Sequence, residues 1–120
     1  MATIPWTRVS LPSAKGEFDR TLVRQWAVAN GDDGEAMALP NHADRSVQVS
    51  GTFGSGGSVT IEGSLDGTTW AILTDPQGNN LAITSAKIET IMEATLYIRP
   101  RVTDGDETTA LTITILCRGN

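Results

Sequence analysis

The only histidine, His42, lies in the run Pro40-Asn41-His42-Ala43-Asp44. A Ser-His-Asp triad would have to use it, because a serine needs an imidazole to take its proton. No nucleophile-elbow motif accompanies it, so His42 reads as a loop residue. A zinc centre needs more nitrogen and sulfur ligands than one histidine and one cysteine supply. Two acidic runs, Asp32-Asp33-Glu35 and Asp104-Asp106-Glu107, carry the oxygen ligands that suit calcium. Neither follows the spacing of an EF-hand loop, and Asp and Gly also gather wherever a chain turns. Cys117 falls on the apolar parity of a strand, where a thiol is buried and inert. "GTFGSGG" (51–57) lacks the Lys-Ser/Thr ending and the following helix of a phosphate cradle. These residues therefore assign no catalytic, cofactor-binding or metal site, and an enzyme is not expected.

One polar pattern stands apart. Tyr97, Arg99 and Arg101 alternate with Leu96, Ile98 and Val102, so they share one strand face. Cross-strand pairing with an acid such as Glu62 accounts for such a stripe. A docking stripe also accounts for it, since Tyr and Arg are enriched at interfaces.

The elements that must position these residues are short strands. In "RSVQVSGTF", Val47, Val49, Gly51 and Phe53 share one parity, and in "GSVTIEGSL" so do Val59, Ile61, Gly63 and Leu65. Period-two alternation joined by a glycine-rich link predicts a hairpin. A second, closing hairpin is predicted for "TLYIRPRVTDGDETTALTITILC", with Leu111, Ile113, Ile115 and Cys117 inward. Pro100 cannot donate to a ladder, which predicts an edge or a bulge there. "RTLVRQWAVAN" (20–30) reads as a strand with Trp26 in the core. "TWAILT" and "LAIT" read as strands around the turn "DPQGNN". In "SAKIETIMEA" the spacing of Ile88, Ile91 and Met92 allows one helical turn. The Asp66-Gly67 pair in "GSLDGTTW" reads as a turn, and Trp70 as the large residue seating the next strand on the core.

About eight short strands with turn signals between them predict an all-β fold. It is a single β-sandwich of antiparallel strands, jelly-roll-like, with an extended N-terminal arm. The arm spans residues 1–19 and the sandwich domain residues 20–120. The arm's Ile4, Pro5, Trp6, Val9 and Leu11 are too apolar for a free tail and must pack on this domain or on a neighbour. Trp6, beside Pro5, is the better candidate for burial against another chain.

Bulk properties narrow the function. The chain has 120 residues, 39 % hydrophobic and 19 % charged, with a net charge of −5. That balance excludes a polybasic surface for nucleic acid or for a membrane. No apolar run is long enough to span a bilayer, and the N-terminus lacks the pattern of a secretory signal. A single cysteine leaves packing to stabilise the fold.

Residues 45–118 resemble a group of small tailed-phage virion proteins, the capsid decoration or cement proteins with jelly-roll folds. The resemblance rests on Gly63-Ser64-Leu65-Asp66-Gly67 with Trp70, on Leu73-Thr74-Asp75-Pro76-Gln77-Gly78, and on Tyr97-Ile98-Arg99-Pro100. It implies a structural protein, made in the host cytoplasm, on the exterior of the phage head. Its partners would be the major capsid protein, bridged between neighbouring subunits, and itself, as a homodimer or homotrimer. The alternative is a tail-associated or carbohydrate-binding adhesion module. For docking, Ile4, Pro5, Trp6, Val9, Leu11, Tyr97, Arg99 and Arg101 are the candidate partner-binding residues.

Overall fold

A computed structural model describes residues 2–9, 21–38 and 43–119. His42 and Leu11 lie outside the described residues. Among the described residues there are twelve strands: β1 (Thr3–Ile4), β2 (Thr7–Arg8), β3 (Thr21–Ala29), β4 (Asp33–Gly34), β5 (Met37–Ala38), β6 (Asp44–Thr52), β7 (Ser58–Ser64), β8 (Ala71–Ile72), β9 (Ala82–Ile83), β10 (Lys87–Ile91), β11 (Tyr97–Thr103) and β12 (Ala110–Arg118). They form an all-β sandwich. The larger sheet runs β1-β4-β11-β7-β8, with β5 also on β11 and β9 also on β7, and the smaller runs β10-β6-β12-β3-β2. Counting β4 with β5 and β8 with β9 as single interrupted strands, the chain from β3 onward has the eight strands of a jelly roll. Lettered B to I, they run B-I-D-G in one sheet and C-H-E-F in the other.

Alternation builds the core. Ile113 on β12 stands between Trp26 on β3 and Val49 on β6, directly opposite both. The larger sheet answers with Val59, Ile61, Ile98 and Val102, and all seven side chains are buried. Each such side chain contributes about 1.5–3 kcal/mol of transfer free energy.

Both predicted hairpins are corrected by the topology. β6 lies in the smaller sheet and β7 in the larger, and β11 and β12 divide the same way. Two alternating runs joined by a short loop can pair edge to edge or face each other across a core, because period two is the same in both. Here they face each other. The two glycine-rich links are therefore corners between sheets, and they fasten one another. The Asp106 carboxylate accepts from the Ser55 amide at 2.9 Å, and the Thr109 hydroxyl donates to the Phe53 carbonyl at 2.9 Å.

Of the two alternatives for Pro100, the edge is ruled out because β11 has partners on both sides, and the bulge is present, since two residues of β11 face three between Asp33 and Met37. The amide of Val102 donates to Asp32 O at 2.9 Å, so the proline nitrogen, two residues earlier, faces the same way. There it meets the break between β4 and β5, where no ladder bond is required. Gly34 fills the break: a Cβ there would lie 2.6 Å from the Pro100 ring and 2.9 Å from Trp26.

Two more expectations change. Residues 87–91 form strand β10 rather than a helical turn, paired along its whole length with β6. Ile91 faces the core while Ile88 and Met92 are exposed. Leu65 leaves the core parity because β7 ends at Ser64, whose hydroxyl accepts the amides of Asp66 and Gly67 at 3.2 and 2.8 Å.

The described arm residues bind their own sandwich. β1 pairs with β4 in the larger sheet and β2 with β3 in the smaller, so the arm spans both sheets along one side. Ile4 and Trp6 pack against the core. Trp6 is half-buried by that contact, so part of its ring is covered within its own chain.

Candidate functional site

The outer face of the larger sheet gathers the polar aromatic and cationic groups. β11 pairs with β7 so that Tyr97 opposes Ser64, Arg99 opposes Glu62 and Arg101 opposes Thr60. Arg99 Nε lies 3.0 Å from Glu62 Oε1, and Arg101 Nη1 lies 3.7 Å from Glu62 Oε2. Arg101 Nε also reaches Asp33 Oδ1 at 3.1 Å. The expected pairing with Glu62 is thus present, and it extends to Asp33. The two guanidinium and two carboxylate groups cancel in charge, leaving a flat, hydrogen-bonding surface.

Trp70 joins this face, which corrects its expected place in the core. Its ring is half-buried, and the Arg99 guanidinium sits 4.0 Å from the ring centroid. The turn before it is built to bring it there. Asp66 Oδ1 accepts the amides of Thr68 and Thr69, both at 2.8 Å. These bonds and the Ser64 hydroxyl pull the Asp66 carboxyl down to about 2. Gly67 adopts φ +79°, and a Cβ on it would stand 3.3 Å from the Tyr97 ring. The tip of the turn therefore lies against Tyr97. Tyr97, Arg99 and Arg101 on β11 and Trp70, just before β8, form one patch.

The other candidates are dispersed. Asp32 caps the Ala29 amide at 2.8 Å, Asp33 pairs with Arg101, and Glu35 accepts from the Trp6 amide at 3.3 Å. Asp106 is engaged by Ser55 and Thr108. Among the described residues, no three His, Cys, Asp or Glu side chains come together. Cys117 is buried, and burial pushes its thiol up to about 11. In the arm, Pro5 is exposed, Val9 is half-buried with its amide on Val23 O at 3.1 Å, and the Arg24 guanidinium lies 4.6 Å from the Trp6 ring centroid.

A buried charge escaped the sequence reading. Arg45 is 3 % exposed. It donates to Glu93 O at 3.4 Å, to Thr95 Oγ1 at 3.1 Å and to Thr95 O. It thereby holds the link between β10 and β11. The signal was available: Arg45 has the parity of Val47 and Val49, so β6 aims it inward.

No protein-family model matches the chain, and no curated protein sequence matches it. Solved structures do. The SPBc2 prophage-derived protein YomS superposes with a TM-score of 0.62 at 10 % identity, over 81 % of this chain and 93 % of that one. A cupin domain from Bordetella pertussis Tohama I gives 0.49 at 15 % identity, over 98 % and 96 %. At 10 % identity the likeness to the prophage-derived protein is one of fold.

Proposed function

We propose that the protein is a structural virion component, a capsid decoration or cement protein. It would bind the outer surface of a phage head and bridge neighbouring major capsid subunits. The observation that carries the reading is the patch of Tyr97, Arg99, Arg101 and Trp70 on the outer face of a rigid sandwich. Its residue types are those that dominate interfaces, and its internal ion pairs pre-order the long side chains, which lowers the entropic cost of docking. The shared fold with a prophage-derived protein and the resemblance of residues 45–118 to phage decoration proteins support the same reading. Weak contacts repeated over a fixed lattice would add up through multivalency. No catalytic role is assigned, and no cofactor, nucleic acid or membrane is needed.

Co-sedimentation with mature heads of the phage that encodes the protein tests this. The wild-type protein is expected to pellet with heads, and Tyr97→Ala combined with Arg99→Ala to stay in the supernatant while retaining its melting temperature to within a few degrees. Full occupancy by that folded variant would remove the patch from the capsid interface. The surface position of Trp70 favours one second reading, the carbohydrate-binding module. Glycan binding that disappears in Trp70→Ala, with no binding to heads, would select it.

A further inference from the structure

Strand β10 ends the smaller sheet. It pairs with β6 on one side and with no other described strand. On its outer face Ile88 is 67 % exposed, and Met92, the residue after the strand, is 62 % exposed. An apolar edge strand is a template for another strand, and proteins usually obstruct it. Here the obstruction is Lys87 and Glu89, which flank Ile88 and lie 3.9 Å from each other.

Those two charges repel most incoming strands but match one. Let a second copy approach antiparallel, related by a two-fold axis normal to the sheet through Ile88. Ile88 then meets its own counterpart, Lys87 meets the partner's Glu89, and Glu89 meets the partner's Lys87. Moving the axis one residue either way sets Lys87 against Lys87 or Glu89 against Glu89, which is destabilising. The outer face agrees. Its cross-strand row Gln25–Thr114–Gln48–Ile88 carries no charge, and pairing would continue it through the copy. Interface centres are depleted of charge in this way.

We propose that β10 is a self-association edge, through which two copies join their smaller sheets into one continuous sheet in the register centred on Ile88. This goes beyond the capsid-binding reading and uses the opposite face and edge of the molecule.

Sedimentation velocity over a concentration series, with no capsid present, tests it. The wild-type protein is expected to shift from monomer to dimer as concentration rises. Lys87→Glu alone and Glu89→Lys alone are each expected to stay monomeric. The double exchange, Lys87→Glu with Glu89→Lys, is expected to dimerise again, as is an equimolar mixture of the two single variants. Thermal melts confirm that every variant is folded. A wild-type protein that is monomeric at millimolar concentration would overturn the proposal, as would single variants that dimerise like the wild type. Neither result bears on binding to heads, so the two readings fail separately.

Discussion

Trp26 and Trp70 share a residue type and differ in what their rings touch. Trp26 is fully buried, and its indole N–H donates to Glu35 O at 3.0 Å. Trp26→Ala is expected to cost about 3–5 kcal/mol. Trp70 loses only partial burial and its contact with Arg99, so Trp70→Ala is expected to cost about 1–2 kcal/mol. Urea unfolding of both variants checks the order, and equal losses would return Trp70 to the core. Asp66 sets an acid limit. Its folded carboxyl is held at about 2, below the ordinary 3.8. The unfolded chain therefore binds more protons, and the stabilisation is present above the ordinary value and lost as pH falls from about 4 towards 2. Asp75 and Asp106, also held low by hydrogen bonds, act in the same direction. Thermal melts between those pH values should show a falling transition temperature, and the slope should be shallower in Asp66→Ala. Cys117, with its thiol raised and buried, is expected to react with a thiol reagent only after unfolding. Immediate modification of the native protein would contradict its placement.

At the scale of elements, the arm and the corners carry the consequences. Residues 2–9 cover the flanks of β3 and β4 and pack Ile4 and Trp6 on the core. Two half-buried side chains amount to about 2–3 kcal/mol. A chain lacking residues 2–9 is therefore expected to remain folded but to unfold at lower denaturant. An unchanged midpoint would show that the arm is only a tether. Gly34→Ala is expected to be more damaging than its size suggests, because the new methyl would enter the Pro100 ring and Trp26. Much of the element structure was legible from alternation: β3, β6, β7, β11 and β12 lie where period two put them. The inward parity of Trp26, Val47, Val49, Ile98 and Ile113 was legible in it too. Strand β10 was not, because the apolar spacing of Ile88, Ile91 and Met92 fits a helical turn, and only pairing with β6 shows that Ile91 alone faces inward.

At the scale of the molecule, the dominant fact is that neighbours in sequence are seldom partners in a sheet. β12, the last strand, sits at the centre of the smaller sheet between β6 and β3. Its ladder cannot close until nearly the whole chain is in place. Folding is expected to be slow for the size, in the range of about milliseconds to seconds typical of non-local β topologies. Deletion of residues 110–119 is expected to abolish folding rather than to trim it, as circular dichroism and proteolysis would show. The outer patch has the same origin. Tyr97, Arg99 and Arg101 were legible as a stripe, because alternation on one strand sets them together. Glu62 was legible as a suitable acid, but Asp33 and Trp70 reach the patch only because β4 and β8 are brought to the same sheet.

The chain's own alternation, glycines and acidic turns determined that it is an all-β sandwich of eight strands, which side chains of the long strands fill most of the core, and that Asp66-Gly67 turns the chain. Those properties depend on local backbone geometry and on burial, which neighbouring residues encode. Which strands pair, that the two glycine-rich links turn corners between sheets, that Pro100 is tolerated inside a sheet, and that Trp70 lies under Arg99 were decided by the tertiary structure. Period two places a side chain in or out but does not name the strand beside it. That choice is made only when the sheets pack and every ladder must close.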